Sequence, residues 1–263
     1  MNPTLTVPFD VRLMNATASA LLVAFGLATL AALASWVTHR PVFAITAIRV
    51  SGEVVHNNVP TMRANVAPRL AGNFFTLDLT GARQAFETLP WVRSAVVRRV
   101  FPNRIAVELQ EHQAVAYWGA EDGSRLLNSF GEVFEANVGE VEQEALARLD
   151  GPPGQEPQVL GMYRALQPLF EPMELTLEGL TLSGRGGWIA RLDSGAVIEL
   201  GRGGDDEVIA RTNRFLRTLT QVTSRYNRRP DDVESADLRH VDGYALRLRG
   251  VSTVVTDGQS QKK

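Results

Sequence analysis

The chain has 263 residues, 44% of them hydrophobic, a formal net charge of −2 and no cysteine. That length allows one or two packed domains. The charge balance excludes the basic footprint of a nucleic-acid binder, and the missing cysteines exclude a disulfide framework or thiolate metal site.

Ala16 to Val37 carries no charge. At ~1.5 Å per residue this run spans about 33 Å as a helix, enough for a hydrocarbon core of ~30 Å. Trp36 sits at its C-terminal edge, where an aromatic belt would place it. The small-x-small triplet Ala32-Leu33-Ala34 has the form of a cleavage site, but the run exceeds the ~7–15 apolar residues of a signal peptide. The reading is therefore an uncleaved anchor. Arg12 before it and His39, Arg40 and Arg49 after it leave orientation unassigned by charge. Ala16, Ala20, Ala24, Ala28 and Ala32 recur every fourth residue, either as a small-residue stripe that lets another helix approach closely or as the outcome of alanine abundance.

After Pro41, Phe43 to Val50 reads as a strand closed by Ser51-Gly52. Asn57 or Asn58 can cap a helix running to about Leu70. Thr80 is the expected cap of a second helix over Ala82–Leu89, stopped near Pro90. Val92–Val100 and Arg104–Glu111 form a hairpin around Phe101-Pro102-Asn103. Ile105, Val107 and Leu109 alternate with polar neighbours, the period of a sheet with one buried face. The order is strand, helix, helix, strand, strand. With I-R-V-S-G at Ile48–Gly52, L-P-W-V-R-S-A-V-V-R-R at Leu89–Arg99, and the F-P-N-R turn with its return strand, this segment resembles a POTRA domain of the FtsQ/DivIB family of bacterial division proteins. Gln113-Ala114 stands where a proline is usual.

From Tyr117 the chain is strand-rich. Val159–Phe170 reads as a helix, and Leu175–Leu182, Trp188–Leu192 and Val197–Leu200 read as strands. Asp205 or Asp206 can cap a helix to about Val222, with Val208, Phe215, Leu219 and Val222 on one face. Strands at Ser235–Arg239 and Tyr244–Val251 follow, joined through Val241-Asp242-Gly243, where Asp-Gly is a hairpin signal. L-L-N-S-F-G-E-V-F at Leu126–Phe134, the run Arg185–Arg202 and A-D-L-R-H-V-D-G-Y-A-L at Ala236–Leu246 resemble the same family's β domain. The expected fold class is α+β: a tail over 1–15, a transmembrane helix over 16–37, a POTRA domain over 43–116, a β domain over 117–251 with an open C-terminal edge strand, and a disordered tail over 252–263.

No catalytic pattern stands out. His39, His56, His112 and His240 form no metal-ligand spacing, and there is no nucleophile elbow or phosphate loop. Gly201-Arg202-Gly203-Gly204 precedes Asp205, Asp206 and Glu207, which would repel a phosphate, so it reads as a connector. Asp231-Asp232 reads as solvated loop. Arg93, Arg98, Arg99 and Arg104 make the first hairpin basic, either as solvated strand faces or as a surface for anionic headgroups. Arg211, Arg214 and Arg217 form a second basic ridge.

The resemblance implies a scaffold without catalysis and without cofactors. It implies a single-pass protein of the bacterial inner membrane, its C-terminal region periplasmic and at the division septum. Its partners would be the small coiled-coil proteins FtsB and FtsL, with other division proteins reached through the POTRA domain and anchor. FtsB would add a strand to the edge Leu238–Leu248, a form of β-augmentation. Arg185 and Arg239 match positions that offer arginine to an acidic partner, and Leu238, His240, Asp242, Gly243, Tyr244, Leu246 and Leu248 complete the implied surface. His240 stands where tyrosine is common, and Asp242-Gly243 where Ser-Gly is common. A POTRA-type chaperone for outer-membrane proteins is the alternative, although the alternating strands of a membrane barrel are missing.

Overall fold

The computed structural model describes residues 9–56, 59–70, 72–120, 124–137, 139, 141, 146–240 and 243–251. Two compact units divide between Glu111 and His112.

In the first unit, helix α1 covers Phe9–Thr38 and buries none of its residues against the protein. It starts several residues before the expected apolar run, since Asp10 and Arg12 are compatible with a helix outside hydrocarbon. The expected strand at Phe43 is displaced: Pro41–Phe43 is a 3-10 turn, and strand β1 is Ala47–Gly52. Proline at the first position of that turn has no N–H to lose and a preset φ. Helix α2 is Val59–Val66, continued by a 3-10 turn at Ala67–Arg69. The expected caps Asn57 and Asn58 lie outside the described residues.

Helix α3 is Leu79–Glu87, and its cap is Asp78, not the expected Thr80. Asp78 has extended backbone, and its carboxylate accepts the Thr80 N–H at 2.9 Å. Thr80 is already inside the helix and supplies the orphan donor that needs a cap. Strands β2 (Val92–Val100) and β3 (Arg104–Glu111) form the expected hairpin, and β1 pairs in parallel with β3, giving the order β1-β3-β2. Ile105, Val107 and Leu109 turn inward on Phe86, Leu89, Met62 and Val66 to make this unit's core.

Among the described residues, the second unit has one nine-stranded sheet. Its strands are β4 (Ala114–Trp118), β5 (Arg125–Asn128), β6 (Val133–Glu135), β7 (Ala147–Asp150), β8 (Leu177–Leu182), β9 (Trp188–Leu192), β10 (Val197–Gly201), β11 (Val233–Asp237) and β12 (Ala245–Leu248). Their order is β12-β11-β10-β9-β8-β7-β4-β5-β6, an open sheet with β12 and β6 at its ends. Helices α4 (Glu156–Phe170) and α5 (Asp205–Ser224) pack on one face, burying Leu166, Phe170, Phe215 and Leu219 against Leu180, Ala190, Ile198 and Ala236. The α5 cap is Gly204, not Asp205 or Asp206. Those carboxylates occupy the first turn, where the positive end of the helix dipole favours them.

Candidate partner-docking edge

Strand β12 is held on one side by β11, with Asp237↔Ala245, Ala236↔Leu246, Ser235↔Arg247 and Val233↔Leu248 as partners. Its other side carries no strand among the described residues. An edge of this kind presents unpaired N–H and C=O groups to an added chain. Alternation along β12 decides which side chains accompany them. Leu248 is buried and Leu246 half-buried on the helix face, while Ala245 and Arg247 point to the open face. Arg247 is fastened there to Glu234 at 3.0 Å. A depression of about 380 Å³ lies beside the edge, lined by Val197, Glu199, Ser235, Asp237, Ala245 and Arg247 among others. Ser235 and Ala245 keep it shallow but open.

The residues singled out from sequence fall into three groups. Leu238 is 1% exposed and donates its N–H to Glu199 at 2.9 Å, so it belongs to the core and not to the edge. Tyr244 is also committed inward: its ring meets Phe215 edge-on at 5.0 Å, and its hydroxyl lies 2.8 Å from the Thr218 hydroxyl. Leu248 is buried with them. These three shape the edge from behind.

Arg239, His240, Gly243, Ala245 and Arg247 are exposed, and Asp242 lies outside the described residues. Arg239 already has a carboxylate. Its Nε and Nη2 donate to Asp237 at 2.8 and 2.6 Å, and Glu199 lies 3.8 Å from Nη1. Those side-chain hydrogen bonds, with one from the Arg239 backbone, hold the Asp237 carboxyl down at about 2. The guanidinium is correspondingly harder to deprotonate. Gly201 makes room for this pair: its φ is +84°, and a Cβ there would come 3.1 Å from Arg239 Cγ.

Arg185 sits in the exposed β8–β9 turn. The registers Leu182↔Trp188, Gly201↔Trp188 and Asp237↔Ala245 put this turn at the same end of the sheet as Arg239 and the start of β12. Three strand spacings separate β9 from β12, roughly 14 Å.

Several of the other basic and histidine residues have structural partners. Arg211 donates to the carbonyls of Leu200 and Arg202, which removes it from the basic ridge and leaves Arg214 and Arg217 exposed. His56 stacks on Trp91 at 3.8 Å beside Glu111, and His112 stacks on Phe134 at 4.2 Å. Asp232 is not merely solvated, as it accepts the Arg229 N–H at 2.9 Å and closes the turn before β11. Among the described residues, no three histidine or carboxylate side chains converge as metal ligands.

Comparison with known proteins agrees with this architecture. The model described as "POTRA domain, FtsQ-type" matches residues 43–112. With one apolar helix ahead of it and a strand-rich unit after it, this is a single-anchor POTRA protein. The model described as "Cell division protein FtsQ/DivIB, C-terminal" matches residues 116–239. The chain is 42% identical to Cell division protein FtsQ of Burkholderia pseudomallei over 97% of its own length and 99% of that protein. It is 39% identical to the protein of the same name from Thiomonas arsenitoxydans, over 93% and 90%, and 37% identical to that of Bordetella pertussis, over 91% and 92%. The chain belongs to the FtsQ/DivIB family of cell division proteins, and its apolar N-terminal helix fits a single-pass protein of the inner membrane.

Proposed function

We propose that the chain is a non-enzymatic scaffold of the division septum that captures FtsB, and through it FtsL, by accepting an FtsB strand on β12 in the periplasm. The carrying observation is the edge itself: four residues of strand, Ala245–Leu248, paired on one side only among the described residues. Main-chain hydrogen bonds supply affinity in such an addition, and the exposed Ala245 and Arg247 with the half-buried Leu246 supply selectivity.

Electrostatics divides between the two arginines. Arg239 can receive a partner carboxylate only by sharing or leaving Asp237. Arg185 makes no hydrogen bond or ion pair among the described residues and is the readier recipient. An added strand would lie about 5 Å beyond β12, so Arg185 is roughly 19 Å from it. An extended chain covers ~3.3 Å per residue, so the carboxylate meeting Arg185 comes from about six residues outside the added strand, less what the long arginine side chain reaches.

Gly243 supplies the test. A Cβ there would meet nothing within 4 Å, so a large side chain costs the fold little while obstructing the approach to β12. In detergent-solubilised full-length protein, Gly243→Trp should weaken binding of the FtsB–FtsL pair at least about tenfold, or ~1.4 kcal/mol. The melting temperature should be unchanged. Arg185→Glu should act mainly on the association rate. Wild-type affinity in a folded Gly243→Trp protein would remove β12 as the docking edge.

A further inference from the structure

Outside the docking edge, the most unusual surface lies at one end of the first unit. Val42, Phe75, Val100 and Phe101 are large apolar residues with 57, 45, 43 and 73% of their surface exposed. The rings form a cluster: Phe43 lies 4.8 Å from Phe75 and 6.4 Å from Phe101, and Phe74 lies 5.9 Å from Phe101. Val42 and Val100 are the chain neighbours of Phe43 and Phe101. Scattered apolar residues on a surface are ordinary, but a contiguous aromatic patch marks an interaction site.

Hydrogen bonds tie that patch to the end of α1. Asn73 Nδ2 donates to the carbonyl of Thr38, the last residue of the helix, at 2.7 Å. Phe74 N–H donates to Phe43 at 2.9 Å, and Thr46 N–H to Asn103 at 3.0 Å. Arg99 holds the loop from behind, donating to the carbonyls of Phe74 and Leu77 at 2.6 and 2.7 Å. Arg40 lies 3.4 Å over the Trp36 ring, and exposed His39 and Arg104 flank the patch in sequence.

Depth follows from these distances. With Ala16–Val37 filling the hydrocarbon, Thr38 stands at its boundary, and the headgroup layer beyond is roughly 5–8 Å thick. Five residues reach at most about 17 Å from Thr38 to Phe43. The 3-10 turn and the Asn73 bond shorten that, which puts the rings at headgroup level.

We infer that Val42, Phe43, Phe75, Val100 and Phe101 form an interfacial anchor. It beds this end of the domain in the bilayer that α1 crosses, with Arg40 and Arg104 positioned for the phosphates of anionic lipids. Aromatic rings favour this zone because an apolar body and a polarisable face suit its graded polarity. Two attachments, helix and aromatic tip, would fix the angle at which the domain leaves the membrane, where a single linker would let it swing.

The chain has no cysteine, so single labels can be placed without background. The full-length protein alone would be reconstituted into vesicles of phosphatidylethanolamine and phosphatidylglycerol, carrying a nitroxide at Val100→Cys or at Val55→Cys. Val55 is 83% exposed and lies past the far end of β1, where its N–H meets Glu111. Power saturation with oxygen and with a nickel chelate reports depth. The Val100 label should show a several-fold higher oxygen-to-nickel ratio than the Val55 label. Replacing Phe43, Phe75 and Phe101 by Ser should return it to the Val55 value; none of the three belongs to the buried core. A Val100 label as aqueous as Val55 overturns the proposal. So does a deep label that stays deep without the three rings, since the depth would then come from the nitroxide itself or from another contact.

Discussion

Arg239 illustrates how one side chain serves two purposes. Its fork closes on Asp237 two residues earlier, across the turn that ends β11. At an exposed site such a pair, screened by solvent, adds little to stability. What it does is hold a charged group in one direction near β12, beside Gly201, where a side chain would crowd Arg239 and sit at a strained φ of +84°. The pair has a titration signature. Asp237 is held at about 2, below the ordinary ~3.9 of an aspartate. A carboxyl depressed on folding stabilises above its unfolded value, and that contribution is lost as pH falls from about 4 to 2. In carbon-detected NMR titrations the Asp237 carboxyl should therefore titrate near 2. In Arg239→Ala it should move up toward the ordinary value; a midpoint unmoved by that substitution would mean the arginine is not the cause.

At the scale of elements, β12 should show its one-sidedness in hydrogen exchange. Along an edge strand of an antiparallel pair, alternate N–H groups face the neighbour and the free side. In the isolated protein the outward amides of Ala245–Leu248 should exchange far faster than the inward ones. Adding FtsB should protect the outward set selectively. Uniform protection across the unit would instead indicate global stabilisation by binding elsewhere.

Local pattern carried much of this element map. The alternation Ile105, Val107, Leu109 fixed the inward face of β3, and the 3.6-residue spacing of Val208, Phe215 and Leu219 fixed the inward face of α5. Local pattern does not tell which residue leaves helical geometry first: it offers Thr80, and Asp205 or Asp206, as caps where Asp78 and Gly204 stand. The parallel pairings β1 with β3, β4 with β7, β7 with β8 and β10 with β11 leave no local mark, because their partners are remote in sequence. The edge position of the last strand is legible in the sequence as a region, and the direction of its side chains is not. Leu238 and Tyr244 look like an apolar edge in sequence, and only the packing of α5 shows that they point away from it.

Over the whole molecule, each unit has its own buried cluster: one around Phe86, Ile105 and Val107, the other around Phe170, Phe215 and Leu219. Phe215 is 1% exposed, and truncating such a ring costs about 3–5 kcal/mol through lost burial and the cavity left behind. Phe215→Ala should therefore lower the unfolding transition of the second unit and loosen Tyr244 against α5. Exchange protection of β2 and β3 should be unchanged. Equal loss in both units would show one cooperative fold instead of two.

Strand order also bears on when the docking edge comes into being. As the polypeptide is threaded out residue by residue, β8, β9 and β10 can close as successive hairpins. Strand β11 pairs in parallel with β10 and must wait for the whole α5 crossover, and β12 waits for β11. The open edge at β12 is thus assembled later than the strands behind it. A nascent or truncated copy lacking Ala245–Leu248 has no β12, so any partner that adds a strand to this edge would meet only copies whose strand-rich unit is finished.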